Sequence, residues 1–276
     1  MRISKKLVAV FAIILSLALV FTGCAKPQPA AAPTEEPAAV QENADKSWDQ
    51  IKEKGELRVG LCAAYPPFES RNEKTGEFEG FDIDLANALG QELGIKATII
   101  DAEWQALLGG LNKGDYDVLI TCMSKKEASV ENVNMSDVYY NLNDIIVIKN
   151  DNESIKSKDD LVDKIVGVQL GSGSEQAVDK LIGLKEVKRY NYNPEAFLDL
   201  KNNRVDAVAV SYVYALTEIS KDSSYKVIND PIDSSEIIMV SKAGGDALTA
   251  KLNGALAKVK QSGKYDELVG KWLTVK

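Results

Sequence analysis

Asp82-Ile83-Asp84-Leu85-Ala86-Asn87-Ala88-Leu89-Gly90-Gln91-Glu92-Leu93-Gly94 leads directly into the β-rich run Lys96 to Ile100. Apolar residues at 83, 85, 86, 89 and 93 recur at helical spacing and fall on one face. Gly94 then supplies a C-terminal stop. Upstream, Glu56-Leu57-Arg58-Val59-Gly60-Leu61 alternates as a short strand does. Downstream, Trp104 to Asn112 reads as a helix ending before Gly114, and Asp117 to Ile120 as a strand. The order recurs in the second half. Ile145 to Ile148, Ile165 to Val168, Val187 to Tyr190, Ala207 to Val210 and Glu236 to Val240 read as strands. Ser174 to Ile182, Pro194 to Lys201 and Leu248 to Trp272 read as helices, the second with proline in its first turn. This alternation predicts α/β units around largely parallel sheets, with ligands outside the carboxyl ends of the strands. Gly114-Asp115-Tyr116-Asp117-Val118 is echoed by Asn203-Arg204-Val205-Asp206-Ala207-Val208, so two similar α/β lobes are expected.

The N-terminal end points to export. Arg2, Lys5 and Lys6 precede an apolar run from Leu7 to Phe21 that is too short and too one-sided for a membrane span, which marks residues 1–23 as a signal peptide. Phe21-Thr22-Gly23-Cys24 looks like a bacterial lipobox, although such motifs usually carry Leu where Phe21 stands. Acylation of Cys24, by palmitate among other chains, would anchor the protein at the outer face of the cell membrane. Residues 24–47, rich in Ala, Pro, Glu and Gln, lack the apolar area to offset ordering entropy and read as a disordered tether. No later stretch is apolar and long enough to span a membrane.

Composition excludes several functions. The formal charge is −8 over 276 residues, against the clustered Lys and Arg that nucleic-acid phosphates require. The chain contains no histidine, which removes imidazole acid–base chemistry, Ser-His-Asp triads and His-containing metal sites. Beyond Cys24 only Cys62 and Cys122 remain, too few for a disulfide framework or an all-cysteine zinc site. No metal or cofactor is expected.

Several segments, in their order along the chain, resemble the bacterial extracellular solute-binding proteins of family 3, the amino-acid branch serving ABC transporters. Leu57-Arg58-Val59-Gly60 running into Ala64-Tyr65-Pro66-Pro67-Phe68-Glu69 is one. Gly80-Phe81-Asp82-Ile83-Asp84-Leu85 with Leu89, Gly90 and Leu93 is the fullest. Ser136-Asp137-Val138-Tyr139-Tyr140, Val166-Gly167-Val168-Gln169-Leu170-Gly171-Ser172 and, more weakly, Asn203 to Val208 follow. The resemblance implies a two-lobed, type II periplasmic-binding-protein-like α/β fold, each lobe a mixed, mostly parallel sheet flanked by helices and joined by a two-stranded hinge. It implies that residues 48–142 and 236–276 form one lobe and 143–235 the other. It also implies a non-enzymatic, monomeric protein that closes on a small polar solute, an amino acid or a derivative, and delivers it to an ABC permease and its ATPase subunits. Two alternatives are a dehydratase of the same fold acting on a prephenate- or arogenate-like acid, with Glu175 as its acid, and a sensing or scaffold lipoprotein.

By the same resemblance, the ligand's α-carboxylate is clamped by an Arg that falls at Ser129, its ammonium by an Asp that falls at Ser211, and a further Asp falls at Cys62. All three are neutral here, so a weakly charged, aromatic or modified solute is expected. Lys125 or Lys126 stands in for the Arg, or else both are solvated loop charges. Tyr65 and Trp104 fall where aromatic walls flank the ligand, with core packing as the other reading of Trp104. Thr121, Cys122, Met123 and Ser124 form a turn facing the solute, Thr121 and Ser124 as hydrogen-bonders. From the residues themselves, Ser172, Gly173 and Ser174 between a strand and a helix offer amides and hydroxyls as an anion cradle, or a plain helix start with Ser174 as N-cap. Cys62 and Cys122 are expected at the ends of neighbouring strands as buried thiols, a disulfide or soft lining groups.

Overall fold

The computed structural model describes residues 45–274. The expected signal peptide, the Cys24 lipidation site and most of the 24–47 tether lie outside the described residues. Asp45 already belongs to the folded body, because its carboxylate accepts hydrogen bonds from the Ser47 and Ala247 amides.

The elements run α1 (Ser47–Lys54), β1 (Glu56–Leu61), β2 (Ala64–Tyr65), β3 (Glu69–Arg71), β4 (Phe78–Glu79), α2 (Phe81–Leu93) and β5 (Lys96–Asp101). A 3-10 turn at Trp104–Ala106 opens α3 (Leu107–Lys113), and β6 (Val118–Leu119), α4 (Lys125–Ala128) and β7 (Val133–Lys149) follow. Then come β8 (Ile165–Gln169), α5 (Gly173–Val178), β9 (Glu186–Tyr190), α6 (Asn193–Lys201), β10 (Ala207–Ser211) and α7 (Tyr212–Lys221). The long strand β11 (Tyr225–Lys242) and helices α8 (Asp246–Gln261) and α9 (Lys264–Trp272) end the described chain.

One eight-stranded sheet, ordered β5-β1-β6-β11-β7-β10-β8-β9, organises the molecule, and β2, β3 and β4 make a small second sheet. β1 is parallel to β5 and β6, and β8 is parallel to β9 and β10. Between these parallel groups lie β7 and β11, antiparallel to each other. Val240 and Ser241 of β11 pair with β6, while Asp144 to Val147 pair β7 with β10, so the β7–β11 pair links the two groups. Their mutual register shifts between Ile228 and Asp233.

Alternation along these strands feeds two faces, as expected of sheets covered on both sides. Ile145 and Val147 pack with Phe197, Leu200, Val208 and Tyr214, whereas Ile146 and Ile148 pack with Val166, Val168, Ala207 and Ala209. In the other half, Val118 and Ile120 join Leu57, Val59, Leu85 and Leu89, and Leu119 faces Leu107, Leu111 and Ile238. The α2 stripe is buried as its spacing predicts, and Gly94 closes the helix in the left-handed conformation. Gly80 precedes it at φ 137°, and a Cβ there would sit 2.2 Å from the Phe68 carbonyl oxygen. Only glycine satisfies both conditions.

Three expectations are corrected. The expected helix Ser174–Ile182 is the shorter α5, and its N-cap is Ser172, whose hydroxyl accepts from the Glu175 amide. Ser174 is instead inside the helix and turned toward Asp144. The expected helix from Trp104 starts as a 3-10 turn. β7 and β11 extend well past the apolar runs that reveal them, because polar residues such as Asn134, Asn141 and Asn143 also sit in paired strand positions.

Gly80→Ala should destabilise the fold by about 2 kcal/mol or more, from left-handed strain plus the clash. Gly109→Ala, in α3 with nothing within 4 Å of its would-be Cβ, should be neutral or stabilising by about 0.5–1 kcal/mol. Urea denaturation of the two variants measures the contrast.

Candidate functional site

The carboxyl ends of β1, β6, β8 and β10 meet around a cavity whose non-atom space, open mouth included, is about 580 Å³. From the β1–β6 side come Cys62, Tyr65, Glu69, Trp104, Thr121, Cys122 and Glu127. Gln169, Ser172, Gly173, Ser174, Asn193 and Ser211 come from the β8–β10 side, and the long strands contribute Leu142, Asp144, Ser235 and Ile237.

The two sides touch directly. The Tyr65 hydroxyl donates to Ser211 Oγ at 2.6 Å, and its ring stacks on Tyr214 with centroids 4.7 Å apart. The Gly173 amide donates to Glu127 Oε1 at 2.5 Å, and Gln105 Nε2 donates to the Leu170 carbonyl at 3.3 Å. Glu127 reaches across because of its local role. It closes a capping box on α4, its Oε2 accepting from the Ser124 amide at 2.6 Å, which leaves Oε1 aimed at α5. Burial pushes the Glu127 carboxyl up to about 7, against the hydrogen bonds from Ser124 and Gly173 that favour its charge.

Asp144 is also buried. It accepts from Ser174 Oγ at 2.5 Å and from Ser235 Oγ at 3.4 Å, and burial again raises its pKa. Thr121 Oγ1 donates to Glu69 Oε1 at 2.8 Å and accepts from the Cys62 amide at 3.1 Å. Behind it, the Cys122 amide donates to Asp82 Oδ2 at 2.6 Å. Burial raises Glu69 well above the carboxylate range and Asp82 to about 6, with each carboxyl hydrogen-bonded to the other. Such a pair needs a proton on one member.

Nine of the twelve ligand positions named from the sequence line this cavity: Cys62, Tyr65, Trp104, Thr121, Cys122, Ser172, Gly173, Ser174 and Ser211. The other three do not. Met123 is buried in the core beside Leu107 and Leu111. The Ser124 hydroxyl accepts from the Glu127 amide and caps α4. Ser129 is exposed at the end of α4, its hydroxyl donating to the Lys126 carbonyl at 2.7 Å. Lys125 and Lys126 pair with Glu236 at 3.0 Å and Asp233 at 2.6 Å outside the lining, so neither replaces the missing Arg there. Glu175 is drawn to Arg189 and the Gly171 amide, away from the cavity. Both cysteines are free thiols, and burial pushes Cys62 up to about 11 and Cys122 well above its ordinary value.

The expected neutral lining is the largest correction. Glu69, Glu127 and Asp144 all face the cavity, and among the described residues no Lys or Arg lines it. Glu127 had a legible signal, the Ser124-to-Glu127 spacing of a capping box, but that signal says nothing about its second oxygen. Asp144 had none, standing alone at the start of an apolar strand run.

Two parallel groups of strands, crossed by two shared strands and enclosing a cavity built from both, define a type II solute-binding architecture. The sequence matches the bacterial extracellular solute-binding proteins, family 3, over residues 57–275, and the chain belongs to that family. It is 29% identical over 226 residues to the L-cystine-binding protein TcyJ of Escherichia coli (strain K12), covering 81% of this chain and 85% of that protein. An ancestral arginine-binding protein solved with arginine shares 38% identity at a TM-score of 0.75, covering 80% of this chain and 99% of the other. The ancestral amino acid-binding protein AncCDT-1, described as a precursor of cyclohexadienyl dehydratase, shares 33% identity at a TM-score of 0.74, covering 82% and 98%.

An acid whose folded pKa lies above its unfolded value holds, once folded, a proton that the unfolded chain has released. Its contribution to stability is therefore greatest below about pH 4.5 and falls as pH rises toward about 7. Glu127→Gln should flatten this part of the stability–pH curve, while Glu69, Asp82 and the facing Asp144 keep slopes of the same sign in both proteins. Denaturation midpoints of the two proteins between pH 4.5 and 7.5 read the difference; parallel curves would contradict the assignment.

Proposed function

We propose that this protein captures a small polar solute, an amino acid or an amino-acid derivative, and delivers it to an ABC permease energised by separate ATPase subunits. The observation that carries this reading is the cavity itself, whose lining comes from both strand groups and whose rim is bridged by Tyr65–Ser211 and Glu127–Gly173. An occupant touching both sides favours the closed arrangement by its differential affinity, and that bias is the signal a permease can read. In this reading residues 48–142 with 236–276 act as one lobe and 143–235 as the other, hinged where β7 and β11 cross. The amino-acid-binding relatives support the solute class.

In the same reading residues 1–23 are removed and Cys24 carries the lipid that holds a monomer at the outer face of the membrane. Palmitate labelling of the full chain should mark the wild type and not Cys24→Ala, with the variant released to the medium; equal labelling would remove the anchor from the proposal.

A dehydratase has one feature in its favour, the carboxyl of Glu127 with its pKa near neutrality inside the cavity. Against it, the lining offers no cation to hold an acid substrate. Product formation from a prephenate-like acid above background would favour the enzyme.

Thermal-shift screening of amino acids and their derivatives tests solute capture, since a ligand that binds the folded state raises its melting temperature. Trp104 lines the cavity and sits against Gly171 across the cleft. Trp104→Ala should weaken the best solute by about tenfold, the scale of one lost aromatic contact. Unchanged affinity would move the site elsewhere.

A further inference from the structure

The hydrogen atoms around the cavity are mostly committed to protein acceptors. The hydroxyls of Thr121, Ser174, Ser235 and Tyr65 donate to Glu69, Asp144, Asp144 and Ser211 in turn. A hydroxyl has one hydrogen and two lone pairs, so what these groups have left to offer is acceptor capacity. Glu127 and Asp144 act as acceptors as well.

The place where an anion would be sought is occupied. The Gly173 amide at the start of α5 is bonded to Glu127, the Gly171 amide to Glu175, and the Ser172 hydroxyl donates to the Gln169 carbonyl. The protein's own carboxylates fill the cradle that the sequence Gly171-Ser172-Gly173-Ser174 suggests. A ligand carboxylate would lose its water and meet Glu127 and Asp144 with no Lys or Arg in the lining to compensate, the costly case for a buried charge.

A cation meets the reverse situation. Glu127 and Asp144 line the same part of the cavity: a Cβ on Gly173 would lie 3.5 Å from Glu127 Oε1 and 3.6 Å from Ser235 Oγ, and that hydroxyl in turn reaches Asp144 at 3.4 Å. Tyr65 and Trp104 add aromatic surface of the kind that suits organic cations.

We propose that the solute is a small organic cation without a free carboxylate, an amine rather than its parent amino acid, with its cationic nitrogen held between Glu127 and Asp144. This rests on the solute-capture reading above and narrows it to one chemical class.

The test sets each amino acid against the amine left when its carboxylate is removed: arginine against agmatine, lysine against cadaverine, tyrosine against tyramine. Calorimetry and thermal shift on the folded protein at fixed pH and salt read the affinities. At least one amine should bind tenfold or more tightly than its parent. Glu127→Gln and Asp144→Asn, each confirmed as folded by its own melting transition, should each weaken that amine about tenfold or more. A parent amino acid binding as tightly as its amine overturns the inference and leaves solute capture standing. Binding by neither set overturns both.

Discussion

The antiparallel pairing of β7 with β11 is the constraint on which the other elements depend. In the described sheet these two strands bridge the parallel groups, β11 pairing with β6, β7 pairing with β10, and each with the other. Their hydrogen bonds therefore hold together two cores that otherwise fill separately, one under α2 and α8, the other under α6 and α7. A register shift on β11 between Ile228 and Asp233 interrupts the ladder beside Asp144. Two further shifts follow between Ile237 and Val240, so the ladder is interrupted at more than one level. The cavity lies at the first of these interruptions, with Asp144 and Ser235 as part of its wall.

Placing carboxyls there has an electrostatic consequence. Each of Glu69, Asp82, Glu127 and Asp144 is removed from water, and each is shifted toward its protonated form mainly by that burial. The chain offsets the cost with local donors: the amides of Ser124, Gly173 and Cys122 and the hydroxyls of Ser174 and Thr121. Backbone and hydroxyl donors carry no net charge, so among the described residues no cation in the lining neutralises these carboxyls when they ionise. The nearby Lys125 and Lys126 instead face Glu236 and Asp233 at the surface, where exposed pairs contribute little to stability.

The fold was readable because its signals are local. Helix α2 announces itself by the spacing of Ile83, Leu85, Ala86 and Leu89 and by Gly94, and the short strands by apolar runs between turns. Elements without an expectation are those whose polar residues break strand alternation, as at Asn134 to Asn141, or whose helix has no distinct start, as at Tyr212, which follows β10 with no side-chain cap. The serine cluster before α5 was recognised as a helix start but assigned its cap two residues late, because Ser172 and Ser174 are chemically equal candidates. Only the pull of Asp144 on Ser174 separates them.

The sequence by itself determined the α/β class and the family. It did so because periodicity, turn residues and motif order are properties of neighbouring residues. The acidic make-up of the cavity lining was decided by tertiary structure alone. Glu69, Glu127 and Asp144 come from three separate segments, and Ser129 turns out to solvent while Glu127, two residues earlier, turns in. A net charge at one point in space is a sum over groups that the chain keeps far apart, and only folding performs it.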